Sequence, residues 1–154
     1  MVRVRASSTL PFVMPAVTIG DHVYYDGGLG DGAGIPLQLA LDSGCSRIFA
    51  ILTRPKGFRK PAPDIGHSAR LIANSYHKYP YVREALLTRN ERYNAELEKL
   101  EHLAEEGKAY IVYADKMAVS NNTTDLKKLR ASYFDGYNQA QHEFPQWLEW
   151  LGIE

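Results

Sequence analysis

The order of apolar and polar positions divides the chain into short runs before residue 53 and longer helical stripes after residue 79. Val2 and Val4 alternate with Arg3 and Arg5, the period of a strand. Residues 6–11 read as a small-residue turn, with Pro11 disfavouring helix at Leu10. Residues 12–15 form an apolar loop. Residues 16–19 and 22–25 then read as two short strands joined through Gly20-Asp21, a hairpin. Residues 27–34 hold five glycines in eight positions, so this stretch is the freest in its backbone. Pro36 predicts the start of a helix through Leu37, Leu39 and Leu41, and Gly44 its end. Ile48, Phe49, Ala50, Ile51 and Leu52 are a continuous apolar run, suited to a strand buried on both faces. Strand, helix and strand with short joints predict a βαβ-like unit and a parallel sheet.

Residues 54–63, rich in proline and basic side chains, predict an exposed loop, and residues 65–76 a short helix. Pro80 opens a long helix that Gly107 closes. Its apolar stripe is Val82, Leu86, Tyr93, Leu97, Leu100 and Ala104, stepping by three and four. Arg92 with Glu96, and Glu96 with Lys99, are spaced for surface ion pairs. Residues 109–113 predict another strand and 115–122 a loop. Thr123 or Thr124 then caps a helix with the stripe Leu126, Leu129, Tyr133 and Tyr137. Phe144, Trp147, Leu148, Trp150 and Leu151 make the tail too apolar to float free, so it should dock on the body. The whole predicts an α/β class, with no internal repeat.

Composition narrows the functions open to such a chain. Its 154 residues suit one domain or part of a larger one, and 45% hydrophobic against 23% charged residues is an ordinary globular balance. Lys+Arg and Asp+Glu each total 18, so there is no basic surplus to hold nucleic acid by its phosphates. The single cysteine, Cys45, excludes a disulfide framework and a cysteine metal cage and points to a reducing compartment, most simply the cytoplasm. No apolar run approaches the ~20 residues of a membrane span. The expectation is a soluble chain with room for peripheral contact with a membrane surface.

Candidate chemistry is sparse. The glycine run lies between a strand and a helix, as a dinucleotide loop would, but Pro36 removes an N–H near the helix start. Thr53-Arg54-Pro55 stands where the ribose-binding acid would be. A structural turn is the simpler reading. None of His22, His67, His77, His102 and His142 pairs at the spacing of helical zinc ligands, so neither metal nor cofactor is expected. His22 lies four residues from Asp26, ~13 Å along a strand, too far to orient against it as a triad histidine does. Cys45 reads as a spectator thiol. Asp26-Gly27-Gly28 has two readings. Asp before Gly is a common turn signal, yet Asp26 ends a strand where the glycines let its carboxylate face a cleft. The residues alone leave the two open.

An ordered set of motifs resembles the carboxyl-terminal half of a bacterial patatin-like phospholipase. It comprises Arg5-Ala6-Ser7-Ser8-Thr9-Leu10-Pro11, Tyr25-Asp26-Gly27-Gly28, Ile35-Pro36 with the helix at residues 40–44, and Leu52-Thr53-Arg54-Pro55-Lys56-Gly57-Phe58-Arg59-Lys60. The run from Glu84 to Asn94 completes it. The likeness covers most of the chain. It implies part of a three-layer α/β fold with a mostly parallel sheet flanked by helices. The sheet core with Asp-Gly-Gly would lie in residues 1–60 and a mainly helical region in 61–154, together the C-terminal part of one hydrolase domain. It implies an acyl-ester or lipid hydrolase with a serine–aspartate dyad. Asp26 would be the dyad base, Gly27 and Gly28 would complete its motif, and the substrate would be an acyl ester or phospholipid.

The chain departs from that family in one respect. No G-x-S-x-G occurs in it, and no glycine-rich oxyanion loop precedes residue 6; Ser7, Ser8, Ser43 and Ser46 do not form the elbow. The resemblance therefore implies a second half lacking its nucleophile, silent alone, with the N-terminal half as the missing partner. A carboxylate in open water is a weak base, so the dyad needs an apolar, partly desolvated setting. Phe12, Val13, Met14, Tyr24 and Leu29 are placed in sequence to supply it. The alternative is a non-catalytic fragment or a lipid- or partner-binding module. In either case an isolated half-sheet leaves strand edges that favour oligomers or aggregates.

Overall fold

The computed structural model describes residues 1–62, 66–120 and 123–153, with only the backbone described for His67 and Ser68. It is mixed α/β, with six α-helices and two two-stranded sheets among the described residues. The chain divides into two compact units. The first comprises Met1–Cys45 and Arg59–Leu100, the second Ser46–Phe58 and Glu101–Glu154.

The first unit opens with a helix, α1 (Val2–Ser7), where the Val/Arg alternation predicts a strand. The alternation buries nothing: Val2 and Val4 are both exposed, and Ala6 is the residue that turns inward. A strand here would need a neighbour, whereas a helix makes its backbone bonds within itself, Arg5 N to Met1 O among them. The hydroxyls of Ser8 and Thr9 donate to the carbonyls of Val4 and Arg5, at 2.8 and 2.6 Å, closing the last turn. The hairpin forms as expected. β1 (Val17–Ile19) pairs antiparallel with β2 (His22–Tyr24), Val17 opposite Tyr24, with Gly20 at φ +59° in the turn. A three-residue 3-10 turn at 27–29 follows, then α2 (Leu37–Asp42). Gly44, at φ +82°, ends α2: its N–H bonds to Leu41 O and that of Cys45 to Ala40 O, a paired closure that needs a left-handed residue.

α3 (His67–Ser75) falls within the helix predicted at 65–76, of which Ile65 lies outside the described residues. The long helix predicted from Pro80 is two, α4 (Pro80–Leu87) and α5 (Arg89–Glu105), broken at Thr88. The backbone bonds Thr88 N to Glu84 O and Arg92 N to Thr88 O persist, but the Arg92 guanidinium takes Ala85 O, the carbonyl a continuous helix would give to Arg89 N–H. The stripe on α5 is borne out, with Tyr93, Leu97 and Leu100 buried. Each such leucine contributes ~1.5–3 kcal/mol over an exposed position.

The second unit is built on β3 (Ile48–Leu52) and β4 (Ala109–Tyr113), paired in parallel with Ile48 opposite Ala109 and Leu52 opposite Tyr113. The expected parallel pairing exists, but it joins β3 to β4, not β2 to β3; no βαβ unit forms through α2. Nor is β3 buried on both faces, since Ile51 is 67% exposed. The last helix, α6 (Leu126–Leu151), is capped by Asp125, whose carboxylate accepts from the N–H groups of Lys127 and Lys128, rather than by Thr123 or Thr124. Its N-terminal stripe is not buried: Leu126, Leu129, Tyr133 and Tyr137 are all exposed. The tail does dock. Phe49 and Tyr110 stack at 5.4 Å across the strand pair, and Trp147 and Trp150 pack on them at 5.7–6.0 Å. The Arg47 guanidinium lies 4.1 Å over Trp150 and bonds to its carbonyl. Gln139 bridges Tyr113 O and Asp115 N, continuing the edge of β4 with a side-chain amide.

Candidate functional site

Asp26 sits where β2 gives way to the glycine run, and three features fix it there. Its N–H donates to the carbonyl of Thr9 at 2.9 Å, and Thr9 is itself 1% exposed. The segment after α1 is thus a brace that holds the end of the hairpin. Its Oδ1 accepts the N–H of Gly28 at 2.7 Å and so caps the 3-10 turn. On its other flank, Tyr25 meets Tyr76 edge-on at 6.3 Å, and Tyr76, buried at the end of α3, also takes Phe12 at 5.0 Å. The Tyr76 hydroxyl beside it, with a smaller contribution from burial, raises the Tyr25 phenol above its ordinary 10.0.

Asp26 lines a cleft of about 640 Å³ within the first unit. Gly27 and Gly28 form its floor beside the carboxylate, Ser7 and Arg89 stand over them, and Ile35, Gln38 and Asp42 close the far side. The predicted Asp26, Gly27 and Gly28 therefore come together at one cleft wall. His22 does not join them; it is exposed, with its ring against Tyr24 at 6.4 Å. Cys45 is exposed and does not line the cleft. The apolar setting expected from Phe12, Val13, Met14, Tyr24 and Leu29 is not there either. None of the five lines the cleft, and the first four are exposed. Phe12, at φ +67°, packs its ring on Tyr76 instead.

Sequence reasoning missed two arginines and one serine. Arg92 is not paired with Glu96; its guanidinium donates to the carbonyls of Leu29, Gly30 and Ala85, and holds the glycine run against α4 and α5. The Glu96–Lys99 pair forms at 3.0 Å, but not as the surface pair expected, since Glu96 is buried. Three residues earlier, Arg89 leans over Gly28, where a Cβ would meet both Arg89 Nη2 and Asp26 Oδ1 at 2.7 Å. A side chain at Gly28 would therefore displace the guanidinium, the carboxylate or both. Arg89 Nε is buried without a hydrogen-bond partner, an arrangement that costs about 1–3 kcal/mol. Ser7, at the end of α1, shares the cleft with Asp26 although its position in the sequence suggested only an approach turn. No sequence signal marks these three, because Ser7 comes from α1 and both arginines from α5, far from Asp26 in the chain.

Residues 79–152 match a family model described as Domain of unknown function (DUF6363). No curated protein and no solved structure matches the chain. The DUF6363 segment takes in α4, α5, β4 and α6, and of the cleft residues it includes only Arg89. Asp26 and the glycine floor lie outside it. Among the described residues no group of three His, Cys, Asp or Glu side chains could hold a metal ion. Among the described residues no helix is long and apolar enough to cross a membrane.

Proposed function

We propose that the chain carries the aspartate corner of a patatin-like acyl-ester hydrolase, with Asp26 as the base of a serine–aspartate dyad. The observation that carries this reading is the placement of Asp26 on the wall of a cleft, with its backbone held by Thr9 and Gly27 and Gly28 following it. The nucleophile would come from a G-x-S-x-G segment that these 154 residues do not contain. Asp26 would take the proton of that serine as its oxygen attacks an ester carbonyl, while upstream N–H groups hold the oxyanion. The alcohol leaves with a proton, an acyl-enzyme forms, and Asp26 deprotonates the water that releases the acid. In this reading the chain is part of a three-layer α/β fold, completed by the segment that brings the serine.

The missing half is the partner this function requires, and an acyl ester or phospholipid its substrate. The test is to supply an upstream patatin-like half bearing its serine, by co-expression or fusion, and to assay a short-chain ester. Hydrolysis should appear on complementation, and Asp26→Asn should then lower it at least ~10³-fold, the scale on which a missing dyad member acts. Turnover by the Asn variant comparable with the parent would sink the dyad. A complemented protein that binds ester-bearing vesicles without hydrolysing them would leave the non-catalytic lipid-binding module as the reading that stands.

A further inference from the structure

Arg89 and Arg92 lie three residues apart on α5 and face the same glycine run, yet they are used differently. Arg92 spends its donors on four protein oxygens, those of Leu29, Gly30, Ala85 and the Thr88 hydroxyl. Arg89 makes no hydrogen bond or ion pair among the described residues, and its Nε is buried without a partner. Its guanidinium nevertheless has a defined place, over Gly28 on the wall of the cleft. A structural role in the manner of Arg92 does not account for it. Its position in the first turn of α5 does not either, since a cation there opposes the helix dipole.

We propose that Arg89 is the anion receptor of this cleft, where its free fork takes an oxyanion of the ligand, a phosphate or carboxylate oxygen. Guanidinium donors in a fixed plane match two oxygens of such a group. The neighbouring acids are already engaged in part. Asp26 Oδ1 accepts from Gly28 N, and Asp42 Oδ1 accepts from the Gln38 amide at 2.7 Å. The carboxylate of Asp26 stays close enough to Arg89 to oppose an incoming anion, so affinity is set by the balance of the two side chains. This site does not depend on the hydrolase reading: it uses no serine and no bond is made or broken.

The test is a titration of the whole chain with inorganic phosphate and, separately, butyrate, followed by the NMR signals of the Arg89 Nε–H and the Gly28 amide. Phosphate or butyrate should shift both signals saturably, and whichever binds more tightly assigns the oxyanion. Arg89→Gln should weaken binding about tenfold or more, read at Gly28, from the loss of charge-assisted bonds. Arg89→Lys should keep part of the affinity, and Asp26→Asn should tighten it by removing the opposing charge. Should Arg89→Gln unfold, the Nε–H shift in the unaltered chain and the Lys variant carry the decision. No shift at either signal with either anion overturns the proposal, as does equal affinity in a folded Arg89→Gln chain.

Discussion

Tyr25 ties the residue before Asp26 to the core through Tyr76, and the tie depends on pH. The Tyr76 hydroxyl raises the Tyr25 phenol above 10.0, so the folded chain favours the protonated form more than the unfolded chain does. The resulting stability is fully present below the ordinary tyrosine value and is lost as pH rises through the raised one. Tyr76→Phe keeps the ring that Phe12 and Tyr25 pack against but removes the hydroxyl. The Tyr25 titration, followed by tyrosinate absorbance against a Tyr25→Phe control, should fall back toward 10.0. An unchanged titration in that variant would mean that Tyr76 is not the cause. At this scale the sequence was partly readable. Asp26, Gly27 and Gly28 stand together because they are adjacent in the chain. Arg89 and Ser7 were invisible because neither is near Asp26 in sequence, and the arginine spacing at 92 and 96 fitted an ion pair as well as a carbonyl clamp. The apolar residues expected around Asp26 do not line its cleft, and Phe12 packs on Tyr76 instead.

Helix ends show how far local chemistry carries. Gly44 and Gly107 were both readable as stops, and both adopt the left-handed conformation that closes a helix, at φ +82° and +74°. After Gly107, Lys108 N returns to Leu103 O at 2.8 Å, the outer bond of the same closure as at Gly44. A Cβ at Gly107 would meet nothing within 4 Å, so Gly107→Ala tests conformation alone. It should destabilise the chain by ~1 kcal/mol, and Gly107→Asn by less. The denaturant midpoint should drop with its slope unchanged; no drop for Ala would mean that α5 does not need this closure. Elements that rest on one dominant signal, such as β3, β4 and the hairpin, came out near their expected bounds. Val2 to Arg5 did not, because strand and helix periods cannot be told apart over four residues when no face is buried. At the break in the helix predicted from Pro80, the Arg92 guanidinium takes Ala85 O, a bond that no apolar pattern encodes.

For the whole molecule the decisive question is what completes the sheets. Among the described residues each sheet has two strands, so β3 and β4 each keep one edge unpaired, and parallel pairs are ordinarily found inside larger, covered sheets. The sequence anticipates open edges through its likeness to half of a sheet, but not the bare face of β3. Its apolar run at 48–52 predicts a strand covered on both faces, and the strand is built as though a neighbour were present, with Ile51 in solvent. Under the proposed function the cover is the half that carries the serine. The chain alone should then associate through these edges in a concentration-dependent way, seen by light scattering after size exclusion. Co-expression with a patatin-like upstream half should convert it to a discrete one-to-one complex. Ile51→Lys places a charge on the bare face of β3, and should reduce self-association of the isolated chain while impairing that complex. A chain that stays monomeric at high concentration, with Ile51→Lys changing neither assembly, would remove the need for a missing half and leave the cleft with only its own residues, Ser7, Asp26 and Arg89.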